Sequence, residues 1–227
     1  MKANNNLYYK NYDMRKSSAD RVDYIHGVNK IIYMQASQLV ENYLDIGCGD
    51  GARGNQIIKY IRPKFSTFTD PSPDMISKAR GGMADEYINQ PTHKLTTSKK
   101  YDVITCLWNV FGHIETKSLR LKSLVKIYNL LSDKGVCIID FNNRYNVNHY
   151  GALSVFRNIL KDLFLYKNRG WYNLTDNSQV YIHSFKESRA LIKETSLKIK
   201  RCLYVNYNTG NLERSGWSGQ PVYILTK

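Results

Sequence analysis

The chain has 227 residues, 42% of them hydrophobic, and 33 Lys and Arg against 19 Asp and Glu give it a formal net charge of +14. That length suits one α/β domain with decorations and is ample for a sizeable core. No run of 18 apolar residues exists, which excludes a membrane-spanning helix.

The N-terminus, Met1-Lys2-Ala3-Asn4-Asn5-Asn6, lacks the apolar stretch of a signal peptide. Four scattered cysteines (Cys48, Cys106, Cys137 and Cys202) with no CxxC pair read as reduced, non-metal thiols of a cytoplasmic protein. The charge is uneven: residues 1–112 carry 15 basic and 11 acidic side chains, residues 113–227 carry 18 and 8. Such a field suits nucleic acid, an anionic small substrate or an acidic partner. Yet the basic residues are dispersed, no block of five like charges occurs, and a Lys- and Asn-rich proteome gives the same surplus with no function attached.

In chain order, the first 40 residues read as a helical, Tyr-rich segment containing Tyr8-Tyr9-Lys10-Asn11-Tyr12. From residue 40 onward, strand-like and helix-like segments alternate, the signature of a parallel sheet covered by helices. A strand over 42–46 precedes a helix from about Gly51 to the stop at Pro63. A second strand, 65–69, ends on Asp70. The next helix opens with Ser72 as N-cap and Pro73 at its first position, and ends at Gly81-Gly82. A weak third strand lies near 86–89 and a clear fourth at 101–107. An amphipathic helix follows from Lys117 to about Leu131, with Leu121, Leu124, Val125, Tyr128 and Leu131 at three- and four-residue spacing. The fifth strand, 136–141, is almost wholly apolar, as a central parallel strand should be. The last third reads as helix (151–167), strand (179–183), helix (185–195), strand (197–206), a turn at Asn208-Thr209-Gly210, and strand (221–226).

The most telling stretch is Tyr43-Leu44-Asp45-Ile46-Gly47-Cys48-Gly49-Asp50-Gly51. Glycines at alternate positions let the backbone turn sharply and approach a ligand with no Cβ in the way. The following helix offers unpaired N–H groups to whatever sits in that turn. An acid at the strand end suits a positively charged ligand, so the combination points to a cationic nucleoside. On its own the loop also fits the dinucleotide-binding fingerprint, as Gly47-x-Gly49-x-x-Ala52.

In these residues the chain resembles the class I S-adenosylmethionine-dependent methyltransferases, whose first motif reads acid-x-Gly-x-Gly-x-Gly. Asp45, Gly47, Gly49 and Gly51 fill its fixed positions. Asp70-x-Ser72-x-x-Met75 is similar to the second motif of that family. The motifs cover about residues 40–141, and the remainder agrees by element order. The resemblance implies an α/β three-layer sandwich, with a seven-stranded, mostly parallel sheet ending in an antiparallel hairpin. It implies a single domain over 1–227, with residues 1–40 as an N-terminal helical lid and 142–178 as a substrate cap. It also implies S-adenosylmethionine as cofactor and S-adenosylhomocysteine as product.

Carried onto this sequence, Asp45 and the loop Gly47, Cys48, Gly49 and Gly51 would hold the methionine portion. Asp70 would accept both ribose hydroxyls, a pairing that suits a carboxylate; otherwise it is a helix-capping residue. Pro71, Ser72 and Met75 would border the adenine, though a Met at helical spacing is also ordinary core. The family often places an acid at the end of strand three. Ile88-Asn89-Gln90-Pro91 has none, which leaves Asn89 and Gln90 as amide contacts. Leu107, Trp108 and Asn109 would line the reaction side. His113 is the candidate base, its ordinary pKa lying near neutrality, or else a cap or packing residue. Tyr12 is the lid's candidate contact, or packs on the first helix. Arg144, Tyr145, His149 and Trp171 are the substrate candidates, Arg144 as a grip for an anionic group, with Tyr172 and His183 completing the wall.

The expected function is methyl transfer to an oxygen or nitrogen of a small molecule. The alternatives are an RNA methyltransferase, favoured by the charge, and a catalytically silent fold that binds nucleic acid or a protein. No Asn-Pro-Pro-Tyr-type tetrapeptide follows strand four, which argues against nucleobase-amine chemistry.

Overall fold

A computed structural model describes residues 19–36, 39–164, 169–174 and 178–227. Tyr12, the first 18 residues of the lid segment, and residues 165–168 and 175–177 lie outside the described residues.

Helix α1 (Val22–Gln35) leads into β1 (Asn42–Ile46), α2 (Ala52–Ile61), β2 (Phe65–Thr69), α3 (Pro73–Ala79) and β3 (Glu86–Ile88). Then come β4 (Tyr101–Cys106), α4 (Lys117–Leu130) and β5 (Leu131–Asp140). The chain continues through α5 (Val147–Tyr150), α6 (Ala152–Leu163), β6 (Trp171–Asn173), β7 (Gln179–Tyr181) and α7 (Phe185–Lys193). It closes with β8 (Lys198–Val205), β9 (Leu212–Glu213) and β10 (Gln220–Thr226).

The main sheet runs β3-β2-β1-β4-β5-β10-β8-β9. The first five strands are parallel, and β10 inserts antiparallel to both β5 and β8. The expected mostly parallel α/β sheet is therefore present, with eight strands in place of seven. The added strand is the two-residue β9, a short edge paired to β8. The run expected as a strand over 179–183 does not join this sheet. Its residues 179–181 pair with Trp171–Asn173 in a separate antiparallel ribbon.

Period-two alternation splits the core into two layers. On one face Tyr43, Phe68, Val103, Ile138 and Val222 meet Val28 and Ile32 of α1 and Ile57 of α2. On the other, Leu44, Ile104, Ile139 and Tyr223 meet Leu124 and Ile127 of α4 and Ile192 of α7. Helix α1 thus belongs to a packed layer of the sandwich. Helix starts follow local chemistry. Ser72 accepts from Met75 N at 3.3 Å with Pro73 at the first position, Thr116 accepts from Leu119 N at 3.1 Å, and Ser184 with Glu187 forms a reciprocal capping box.

The chain runs outward from β1 through β2 to β3, then returns to place β4 on the other side of β1. Parallel sheets open a crevice outside the carboxyl ends of the strands at such a reversal. The site lies there.

Candidate active site

A cleft of about 370 Å³ sits over the ends of β1, β2 and β4. Its floor is the turn after β1. Gly47 N and Cys48 N both donate to Thr69 O, at 2.7 and 3.0 Å, which pins the turn to the end of β2. Gly47 has φ +69°, and a Cβ there would stand 2.5 Å from a Val110 methyl. Gly49 has φ +57° and faces open space, so a side chain there would fill the cradle.

Two carboxyls flank the turn. Asp45 is buried, and its described hydrogen bond comes from Thr105 Oγ1 at 2.7 Å. Burial pushes its pKa up to about 7, against the opposing pull of Thr105 and Arg53. Asp70 accepts Gly49 N at 3.1 Å and Ser72 N at 2.8 Å, one on each oxygen; burial still lifts it to about 6. Each oxygen keeps acceptor capacity toward the cleft. Two buried carboxyls short of positive charge, beside an open cradle, fit a ligand that brings a cation and a pair of hydroxyls.

Pro71, Met75, Gln90, Pro91 and Leu107 form the less polar end of the cleft, and Trp108 the opposite wall. Trp108 and Asn109 both have positive φ, +70° and +57°. Two consecutive left-handed side-chain residues cost on the order of 1–3 kcal/mol each, and such strain is characteristic of functional turns. Asn109 is held there by Asp140 Oδ1, which accepts its N–H at 2.8 Å, and by Asn142 N, which donates to its Oδ1 at 3.1 Å. His113 borders the cleft, and burial pushes its imidazole down to about 4, so it is neutral at pH 7.

The structure thus gathers Asp45, Gly47, Cys48, Gly49, Asp70, Pro71, Met75, Gln90, Leu107, Trp108 and His113 around one cleft. Gly51, Ser72, Asn89 and Asn109 stand behind it. Asn89 donates to Asp70 O at 2.9 Å and fixes the end of β3 to that of β2.

The four substrate candidates are placed elsewhere. Arg144 is fully buried and forks to Asp162 at 2.7 Å and Glu187 at 2.6 Å, with Ile182 O as a third acceptor at 2.8 Å. Burial alone would lower its pKa; the two carboxylates reverse that and raise it. Both of its terminal nitrogens are already taken by carboxylates, so it ties α6 to α7 in place of gripping an anion. Tyr145 donates to Asp162 and stacks on Trp217. His149 packs between Tyr150 and Tyr207, and Trp171 lies on the separate ribbon against Tyr181.

Residues outside the motifs also shape the surroundings of Asp45. Arg53 is buried behind Asp45 with Nε donating to Asn29 Oδ1 at 3.2 Å. Gly54 lets α2 approach Asp45, since a Cβ there would stand 2.6 Å from Asp45 Oδ2. Thr105, a polar residue inside the apolar run of β4, was the one legible signal among them.

A family model described as a methyltransferase domain matches residues 44–137. That match runs from β1 into β5 and takes in the glycine turn and both carboxyls. Over 118 residues the chain is 31% identical to the glycine/sarcosine/dimethylglycine N-methyltransferase of Actinopolyspora halophila; the match covers 46% of this chain and spans about one fifth (20%) of that relative. Among solved structures, an S-adenosylmethionine-dependent methyltransferase from Clostridium acetobutylicum superposes with a TM-score of 0.67 at 18% identity, covering 94% of this chain and 95% of that one. The 1,6-didemethyltoxoflavin-N1-methyltransferase of Burkholderia thailandensis, with S-adenosylhomocysteine bound, gives 0.66 at 14% identity over 97% and 85%. NodS, an N-methyltransferase from Bradyrhizobium japonicum also holding S-adenosylhomocysteine, gives 0.65 at 12% over 96% and 94%. The fold is thus the one that S-adenosylmethionine-dependent methyltransferases share. The cleft fits that cofactor: a cationic sulfonium and ammonium, a ribose diol and an adenine answer the two raised carboxyls, the open Gly49 cradle and the apolar end.

Proposed function

We propose that this protein is a methyltransferase that transfers a methyl group from S-adenosylmethionine to a nitrogen or oxygen of a small molecule. The observation that carries the reading is the pair of buried carboxyls, Asp45 and Asp70, raised to about 7 and about 6 on either side of an open glycine cradle. Three of the similar proteins are N-methyltransferases by name, and the two whose names give a substrate act on glycine, sarcosine and dimethylglycine and on 1,6-didemethyltoxoflavin, which supports a small-molecule acceptor and nitrogen ahead of oxygen.

When bound, the cofactor supplies a methyl group on a positively charged sulfur, an electrophile that a positioned lone pair displaces directly. Asp45 would hold the methionine end and Asp70 the two ribose hydroxyls. Pro71, Met75 and Leu107 would enclose the adenine, and Trp108, fixed by its strained turn, would exclude water from the reacting side. A His113 imidazole held at about 4 offers little driving force for taking a proton at pH 7. Rate enhancement then rests on proximity and alignment, which supply up to about 7–11 kcal/mol in well-oriented systems.

Methyl-labelled S-adenosylmethionine incubated with the protein and pools of small amines, phenols and RNA tests the reading. Label in a low-mass amine or phenol is expected. Label only in RNA would replace the small-molecule acceptor with the nucleic-acid one that the +14 charge favours.

A further inference from the structure

A second cavity, of about 550 Å³, lies between the β6–β7 ribbon, the start of α4 and the outer face of α7. We propose that it is a binding site for a small carboxylate, gripped by Arg120 and His183. Neither residue belongs to the cofactor cleft, and the backbone turn 110–113 with the following Ile114 and Glu115 stands between the two cavities. Glu115 borders both.

Arg120 is 5% exposed. Its Nε donates to Phe111 O at 3.1 Å, while Nη2 is buried with no hydrogen-bond partner. The guanidinium carbon lies 4.2 Å from the centre of the Tyr181 ring and 5.7 Å from that of Trp171. Rings over its faces hold the guanidinium while leaving Nη2 unsatisfied at its edge. His183 is 1% exposed and packs edge-on to the same Tyr181 ring at 4.7 Å; neither of its nitrogens has a hydrogen-bond partner. A buried guanidinium edge and a buried imidazole, both left unsatisfied, are costly unless something completes them.

The acids around the cavity do not complete them. Glu187 is committed to Arg144 at 2.6 Å, to Ser184 N and to the Tyr181 hydroxyl. Glu194 pairs with Lys117 at 2.7 Å. Glu115 stands at the exposed rim. Arg169 is within 3.7 Å of Asp162. Among the described residues Arg120 has no carboxylate partner. The group that matches its planar fork is a carboxylate, which takes two parallel N–H bonds, with the neutral imidazole adding a donor beside it.

The proposal is independent of the cofactor reading, and the test keeps the two apart. Benzoate is titrated calorimetrically into the wild-type protein and into Arg120→Lys and His183→Phe, and S-adenosylhomocysteine is titrated into the same three proteins. Saturable benzoate binding is expected, weakened about tenfold by Arg120→Lys as the fork is lost, and weakened by His183→Phe, with S-adenosylhomocysteine affinity unchanged. His183→Phe replaces a partnerless imidazole by an apolar ring of similar size, so it tests the site even where Arg120→Lys fails to fold. Absence of saturable benzoate binding, or equal benzoate affinity in all three proteins, would overturn the proposal. Failure of all three proteins to bind S-adenosylhomocysteine, with the benzoate pattern as expected, would count against the cofactor reading and leave this site standing. 4-Aminobenzoate with methyl-labelled S-adenosylmethionine then separates two sources of the carboxylate. Label on its nitrogen marks the cavity as the acceptor's anchor, and binding without label marks a ligand distinct from the acceptor; either supports a carboxylate site.

Discussion

Asp45 and Asp70 are held in a state that the folded chain alone does not favour. Their carboxyls are raised by burial, so the stability they contribute is fullest in acid, with both protonated, and is lost as pH rises through about 6 and then about 7. A cationic ligand with two hydroxyl donors reverses that preference, because it binds the ionised pair. Binding should therefore release protons, and S-adenosylmethionine affinity should rise about tenfold or more between pH 5.5 and 7.5. S-Adenosylhomocysteine, without the sulfonium charge, should show a shallower rise. A flat profile in calorimetry would remove the two carboxyls from the binding step. Asp70→Asn keeps the side chain's shape but turns one acceptor into a donor. It should weaken cofactor affinity by about tenfold or more, as a hydrogen bond to a charged group contributes about 1.5–3 kcal/mol.

At the level of elements, the site depends on three turns that follow β1, β2 and β4. The first is the tightest: Gly47→Ala would force a Cβ to 2.5 Å from Val110 at φ +69°. A loss of about 1–3 kcal/mol is expected, read as a lower melting temperature together with weaker cofactor binding. These turns were legible in the sequence because each is local. A strand end, an acid and the glycines or Ser-Pro that follow lie within ten residues of one another, and that spacing fixes Asp45, Gly49, Asp70 and Met75 around one crevice. The segment after β5 was not legible in the same way. Arg144 and Tyr145 looked like substrate contacts because their partners lie far along the chain, at Asp162, Glu187 and Trp217. Arg53 and Gly54 escaped notice for the converse reason, since their place behind Asp45 follows from how α2 packs on the sheet. The 179–181 strand was legible as a strand, yet periodicity carries no information about which sheet a strand will join.

For the whole molecule, the reversal in strand order between β3-β2-β1 and β4-β5 is what turns separate loops into one cleft. The insertion of β10 between β5 and β8 extends the sheet on the side away from the cleft. The charge of +14 acts at this scale too. If it serves only long-range attraction, RNA affinity should be weak and fall steeply between about 50 and 200 mM salt, while cofactor affinity stays nearly constant because its contacts are buried. The measurement that bears most directly on the account is calorimetric titration of the purified protein at pH 7.5 with S-adenosylmethionine and S-adenosylhomocysteine, with NAD as control. Saturable one-to-one binding of the first two and none of NAD is predicted. Binding of NAD, or silence from both adenosyl compounds, would contradict the account.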